Sequence, residues 1–305
     1  MTYDVVVIGG GPAGLSGAVA LGRALRTVLV IDAGEPRNAP ADGIHNYLTR
    51  DGVPPAEYAT LGRAEVRRYG GEIRDGRAVT ATRTEAGFQV TLADGSTVSA
   101  RRLLVTTGVT DRLPEIPGLR ERWGHTVLHC PYCHGYEVRG TRIGIIATTP
   151  MAMHGALLWG QWTKDVTLFR NDTFTPDPDQ ERQLRARGVT VVSGRVTAVD
   201  DDGVRLADGT VVAYDNLVVQ TRMEPGGELL ASLGLTVTEH PSGAGAYVPA
   251  EDPTGRTAVP GVWVAGNVAD PMGQVITSAG AGTMAGAMIN ADLVQAETAA
   301  AVAAS

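Results

Sequence analysis

The chain contains two cysteines in 305 residues, too few for a disulfide-stapled secreted scaffold. Lysine is almost missing, with Lys164 alone among 26 basic residues, and base-composition bias in the coding DNA accounts for arginine's dominance. There is no excess of positive charge: the net charge of −7 argues against a nucleic-acid or anionic-membrane surface. No apolar stretch approaches the roughly 20 residues needed to span a bilayer. The first residues have no basic segment, and Asp4 interrupts the first apolar run, so no signal peptide is expected and a soluble, cytoplasmic protein is. What remains is ordinary for a globular protein, at 43% apolar, 19% charged and 39 Gly. The length predicts about two domains, each able to bury its own core.

The two cysteines stand together, in Cys130-Pro131-Tyr132-Cys133, with His134 directly after. A CxxC pair on a turn or helix start can close a small disulfide ring and lower the pKa of a thiol, giving the thiolate that exchange requires. The other reading is half of a zinc site with His125, His129 or His134, but four-ligand zinc needs a second CxxC or paired histidines. A redox-active dithiol and no metal is the expectation. In a cytoplasmic protein such a pair cycles instead of staying oxidised.

Val5-Val6-Val7-Ile8 reads as a strand buried on both faces and runs into Gly9-Gly10-Gly11-Pro12-Ala13-Gly14. A small-residue helix follows to about Arg26, then a second buried strand, Val28 to Ile31, ending at Asp32. This is a complete βαβ dinucleotide fingerprint. Gly9 makes the tight turn, Gly11 admits a pyrophosphate, Gly14 packs helix on strand, and Asp32 is placed for a ribose hydroxyl. A helix near Pro55 to Tyr69 and a β-meander over Ala78–Arg83, Gly87–Leu92 and Thr97–Val105 come next. A Pro-rich linker, Leu113 to Gly118, precedes the CxxC.

The chain then repeats itself. Strands at Ile143–Ala147 and Val166–Phe169 flank a helix over Met151–Thr163, and Leu206-Ala207-Asp208-Gly209 echoes Leu92-Ala93-Asp94-Gly95 at a constant offset of 114 residues. A last strand and turn, Val259 to Asn267, and a Gly/Ala-rich helix from about Gln274 to Val294 need another sheet to join. The predicted fold is α/β, with two Rossmann-like, three-layer dinucleotide-binding domains, the second inserted into the first. The expected boundaries are 1–113 and 223–305 for the first domain and 114–222 for the inserted one. The second copy lacks the glycines of the first: it reads Ala147-Thr148-Thr149-Pro150-Met151-Ala152. Cβ atoms at Ala147 and Thr149 obstruct the turn and the anion, and Pro150 removes a donor.

With Gly9-x-Gly11-x-x-Gly14, Thr107-Gly108, the Cys130/Cys133 pair, Ala265-Gly266-Asn267 and Gln274-Val275, the chain resembles the low-molecular-weight thioredoxin reductase family of flavoproteins over nearly its whole length. The resemblance implies homodimers in which the first copy binds FAD and the carboxy-terminal strand and helix complete its site. Gly9, Gly11, Pro12, Ala13, Gly14 and Asp32 would then hold the diphosphate and ribose, with Asn46, Val79, Thr107, Gly108, Gly266, Asn267, Gln274 and Val275 along the rest of the cofactor. Two departures stand out. Asn267 replaces the family's aspartate, and His134 replaces its acid/base aspartate; His134, or less strongly His129, would move the thiol proton. After the second strand, where the family has an arginine cluster for a 2′-phosphate, only Arg170 remains.

Cys130 to Glu137, Cys-Pro-Tyr-Cys-His-Gly-Tyr-Glu, is similar to a subgroup: the dithiol oxidases that close the disulfides of gliotoxin-, holomycin- and romidepsin-type natural products, with molecular oxygen in place of nicotinamide. The implied activity is FAD-dependent oxidation of a small-molecule dithiol to a disulfide by O2, giving hydrogen peroxide. The substrate would attack Cys130, and Cys133 would lie next to the flavin. The competing expectations are a thioredoxin or disulfide reductase fed by NADPH or by a protein donor such as ferredoxin, and a non-catalytic flavin redox sensor.

Overall fold

A computed structural model describes Met1–Ser305. The chain divides into two compact units, one of Met1–Ala39, Val53–Thr110 and Met223–Ser305, the other of Pro40–Gly52 and Asp111–Arg222.

The first unit is built on a seven-stranded sheet. Its β-branched strand Thr2–Ile8 lies between Val28–Asp32 and Thr97–Val105, parallel to both. Val5, Val6 and Val7 are fully buried, as a strand covered on two faces requires. Thr97–Val105 has two partners along one edge. Its first half pairs antiparallel with the meander strand Gly87–Leu92, and its second half pairs parallel with Val262–Val264. The carboxy-terminal strand therefore returns to the amino-terminal sheet.

Helix Pro12–Arg23 packs on the long closing helix Val275–Ala303 through glycine. A Cβ on Gly282 would lie 1.9 Å from the Ala13 carbonyl oxygen, and one on Gly286 would lie 2.7 Å from that of Gly17. Only hydrogen at these positions allows the two helices so close. The closing helix runs past the expected end near Val294 because the tail is alanine-rich, and alanine has the highest helix propensity.

The second unit holds a five-stranded parallel sheet in the order Thr190–Val192, Val166–Phe169, Ile143–Ile146, Asn216–Val219, Val127–Leu128. An antiparallel meander, Val196–Val199, Val204–Leu206 and Val211–Val212, accompanies it. The repeat in the sequence is a repeat of geometry. Gly95 and Gly209 have φ of 82° and 88°. The preceding aspartates, Asp94 and Asp208, accept from the backbone of Ser96 and Thr210 at 2.9 and 2.8 Å. The helix expected over 151–163 is shorter, Ala152–Trp159; Gly160 ends it, and the Trp162 carbonyl is engaged by the Gly140 N–H.

Residues 40–52, expected with the first domain from chain order, group with the second unit. Ile44 is buried there, and Pro40 packs so tightly on Gly124 that a Cβ on that glycine would come within 2.4 Å of it. Beyond this excursion, the chain crosses to the second unit at Thr110/Asp111 instead of after 113, and returns at Arg222/Met223.

Candidate active site

In the first unit, the loop Gly9–Gly14 leaves the carboxyl end of its strand, where open α/β sheets bind nucleotides. Each glycine has a distinct steric reason. Gly9 has φ of 112°, and a Cβ there would lie 2.3 Å from the Thr106 carbonyl oxygen. A Cβ on Gly14 would lie 1.9 Å from the Gly9 carbonyl oxygen, and one on Gly10 would lie 2.3 Å from the Asp32 carboxylate. Gly11 is different: a Cβ built on it meets nothing within 4 Å. It is the N-cap of helix Pro12–Arg23, and no side chain caps that helix. Open space therefore adjoins uncapped N–H groups and the positive end of a helix, the arrangement that receives a phosphate.

Asp32 buttresses this loop. Its Oδ1 accepts from the Gly10 and Gly34 N–H groups, both at 3.2 Å, and its Oδ2 takes Arg63 at 2.8 Å. Three of its roughly four lone-pair positions are thus filled, which leaves about one for a further donor. Thr106, buried, donates its hydroxyl to the Ile8 and Gly9 carbonyls at 3.0 and 2.9 Å. Chain order singled out its neighbours Thr107 and Gly108, but Thr106 clamps the turn. Gly108 takes φ of 67° in the loop that follows. Pro12 is the first helical residue and Ala13 is buried behind it. A Cβ on Gly266 would sit 2.9 Å from the Ala13 side chain, so the returning segment meets the glycine loop. Val79 is half-buried on the meander strand Ala78–Thr84.

The carboxy-terminal residues cluster at the start of the closing helix, where Gln274 is the N-cap and Val275 the first helical residue. Asn267 donates its amide to the carbonyls of Asp270 and Gly273 at 2.9 and 2.8 Å, while its Oδ1 accepts from Arg37 at 3.4 Å. Carbonyls on one side and a guanidinium on the other set the orientation of the amide. A carboxylate here would face carbonyl oxygens, so the turn over 270–273 explains asparagine where the family pattern has aspartate. A cavity of about 250 Å³ adjoins this helix start, lined in part by Gly266, Gly273, Thr277 and Ser278.

The dithiol lies in the second unit. Cys130 is the N-cap of a four-residue helix, Pro131–His134, and both cysteines are half-buried. Cys133 and His134 each donate their N–H to the Cys130 carbonyl at 3.2 Å. The Tyr132 ring meets the Trp162 ring edge-on at 5.7 Å, and Gly135 leaves room for that indole, since a Cβ there would lie 2.9 Å from it. His129 follows the strand Val127–Leu128, with Nδ1 3.4 Å from the Val219 carbonyl oxygen, so that nitrogen is a donor. No group of metal-ligating side chains is assembled.

His134 is the unusual member. Both ring nitrogens are buried, and neither meets a hydrogen-bond partner. Burial pushes its pKa below the usual 6.5, opposed by Glu137 and aided by His45. The ring is therefore neutral at neutral pH and able to accept a proton. As pH falls through about 6.5 the unfolded chain binds this proton and the folded chain does not, so stability is lost until the lower folded pKa is reached. His134→Gln is expected to shrink the drop in thermal midpoint between pH 7.5 and pH 5.5, about one unit either side of that value; an equal drop in both proteins would place the acid sensitivity elsewhere.

The second copy's loop is filled by its own side chains. Thr149 donates its hydroxyl to the Gln220 side chain at 2.8 Å and accepts the Met151 N–H at 3.3 Å. The Ala147 carbonyl is taken by Asn171 and Thr173 at 3.2 and 3.0 Å. Arg170 is spent on its own surroundings, bonding the Phe174 carbonyl at 3.0 Å, Thr175 at 3.0 Å and Ser193 at 3.3 Å.

Of the candidate cofactor residues, Asn46 alone belongs to the second unit. There its amide donates to the Tyr132 carbonyl, between the two cysteines, at 2.6 Å. Neighbouring His45 lies between Asp51, at 3.4 Å, and Glu137, at 3.6 Å. The sequence carried no sign of His45, nor of its pairing with Glu137 at the end of the CxxC motif, because the partners are far apart in the chain and only folding brings them together.

The pyridine nucleotide-disulphide oxidoreductase family model matches residues 3–286. Thioredoxin reductase sirT of Leptosphaeria maculans is 34% identical over 98% of this chain and 96% of its own length. Thioredoxin reductase tcpT of Claviceps purpurea is 32% identical over 95% and 94%. Among solved structures, an oxidoreductase from Agrobacterium tumefaciens is 41% identical with a TM-score of 0.92, covering 96% of this chain and 99% of its own. The crystal structure of HlmI is 43% identical with a TM-score of 0.91, covering 99% and 96%. With its open cradle at Gly11 and its returning carboxy-terminal helix, the chain belongs to the pyridine nucleotide-disulphide oxidoreductase family and is a thioredoxin reductase-like, FAD-dependent oxidoreductase.

Proposed function

We propose that this protein oxidises a small-molecule dithiol to a disulfide with dioxygen as acceptor, releasing hydrogen peroxide. The observation that carries this reading is the contrast between two copies of one architecture. The first loop is open at Gly11, whereas the second is occupied by Thr149 and Gln220, with Arg170 held by its own loop. Pyrophosphate needs backbone N–H groups within reach, and Cβ atoms in the turn hold it off.

A substrate thiolate attacks Cys130 of the oxidised pair, forming a mixed disulfide and releasing the Cys133 thiolate. The second substrate thiol displaces Cys130, and the product leaves as a disulfide. His134, neutral and with its ring nitrogens buried, takes the proton from a thiol and returns it, with His129 the second candidate. When bound, FAD supplies the two-electron acceptor between the protein dithiol and dioxygen. The sum is substrate dithiol plus O2 giving disulfide plus H2O2. We further propose a cytoplasmic homodimer that binds neither nucleic acid nor membrane; no helix is long and apolar enough to cross one.

The relatives' own names favour a second reading, a thioredoxin or disulfide reductase fed by NADPH or a protein donor. A redox sensor, the third, would show no multiple turnover with any dithiol. One experiment separates the first two. Under anaerobic conditions, a suitable small dithiol is expected to bleach the flavin and air to restore it, while NADPH or NADH at roughly millimolar concentration, the upper end of ordinary KM values, leaves it yellow. Rapid bleaching by NADPH would return the chain to the reductases.

A further inference from the structure

We infer that the loop 42–52 is a positioning element for the dithiol, and that Asn46 acts on Cys130 and Cys133 through the carbonyl of Tyr132 between them. The helix that carries the cysteines is a single turn, Pro131–His134, without a side-chain cap. One turn of helix does not hold itself in water, because nucleation costs more than its few hydrogen bonds return. The turn must be held from outside.

The loop supplies that hold at two points. Asn46 Nδ2 donates to the Tyr132 carbonyl oxygen at 2.6 Å. Glu137, just beyond the turn, lies 3.6 Å from His45 Nε2. Both contacts are organised by Asp51, whose Oδ1 accepts the Asn46 N–H at 2.9 Å while Oδ2 lies 3.4 Å from His45 Nδ1. The loop is closed by the Gly52 N–H on the Ile44 carbonyl at 2.7 Å, with Ile44 buried. Asn46 has φ of 60°, a left-handed conformation that asparagine tolerates better than most residues. A left-handed backbone held at a residue whose side chain donates to the CxxC turn fits a role in aiming that donor.

The inference rests on the reading of Cys130–Cys133 as the working dithiol, and its test keeps the two apart by measuring thiol chemistry without turnover. Asn46→Asp retains size and left-handed tolerance but sets an acceptor against the Tyr132 carbonyl. Asn46→Gly retains the backbone and deletes the donor. Both proteins, loaded with FAD, are compared with wild type in flavin content, thermal midpoint, rate of alkylation of the reduced dithiol by iodoacetamide across pH, and kcat and KM with dithiothreitol as the probe.

The expected result is a kcat lower by roughly 10–100-fold, the scale of an ångström-level misplacement. KM and flavin content stay near wild type, and the pH midpoint of alkylation shifts in both variants. An unchanged alkylation profile with unchanged kcat overturns the inference. So does a loss confined to flavin content, which would assign Asn46 to the cofactor, or a fall in thermal midpoint with unaltered thiol reactivity, which would make its role merely structural. If Cys130→Ser remains active while Asn46→Asp still shifts alkylation, the functional reading fails and the positioning role stands.

Discussion

Gly11→Val is expected to give a folded, colourless protein, and Gly14→Val a protein that folds poorly. The two glycines belong to one motif, three residues apart, yet their surroundings are opposite. Around Gly11 there is open space at the uncapped start of helix Pro12–Arg23. A Cβ there meets no protein atom within 4 Å, and the branched side chain it carries takes the place of the pyrophosphate. Around Gly14 there is none: a Cβ would lie 1.9 Å from the Gly9 carbonyl oxygen and 2.7 Å from the Thr106 hydroxyl. Relieving that clash means moving the helix off the central strand, at a cost at or above the roughly 1–3 kcal/mol of overpacked cores. Flavin absorbance per chain and thermal midpoint, read together, separate the effects. A yellow Gly11→Val protein would place the cofactor elsewhere; a Gly14→Val protein as stable as wild type would mean that the loop is softer than its contacts.

Cys130→Ser and Cys133→Ser are each expected to lower dithiol-dependent oxygen uptake by at least about a thousandfold, as loss of a covalent nucleophile does. A serine hydroxyl neither forms the mixed disulfide nor serves as its leaving group. The half-buried cysteines sit on a turn braced by Trp162 on one side and Asn46 on the other, so serine fits without rearrangement and flavin content is retained. A thiol count closes the experiment, because each variant keeps one titratable cysteine under oxidising and reducing conditions alike. Wild-type turnover in either variant would mean that the flavin oxidises the substrate directly.

Much of this was legible in the chain itself. A β-branched run, a glycine loop and an acid after the second strand are local features, recognisable from neighbouring residues, and Gly9 has a φ of 112° that glycine takes readily. The repeat was legible for the same reason, since Asp94-Gly95 and Asp208-Gly209 build identical turns from identical residues. The dithiol was visible because the chain spends its whole cysteine content there. The loss of glycines in the second copy could also be read directly, as a Cβ obstructs wherever the turn is tight.

Other features had no local signal. Nothing near Arg170 announces that Ser193, Thr175 and the Phe174 carbonyl occupy its guanidinium. Nothing near Asn267 shows the carbonyls that require an amide. Residues 40–52 follow the first nucleotide-binding strands in the chain but fold with the other unit, where Asn46 and His45 meet the CxxC turn. The sequence by itself determined where the first loop turns on glycine, where apolar runs must be buried on both faces, and which single pair can exchange thiols, because those properties belong to a residue and its immediate neighbours. Only the tertiary structure decided which polar groups satisfy one another and which histidine has both ring nitrogens shielded from water. Hydrogen-bond pairing and desolvation depend on atoms that the fold brings together from positions far apart along the chain.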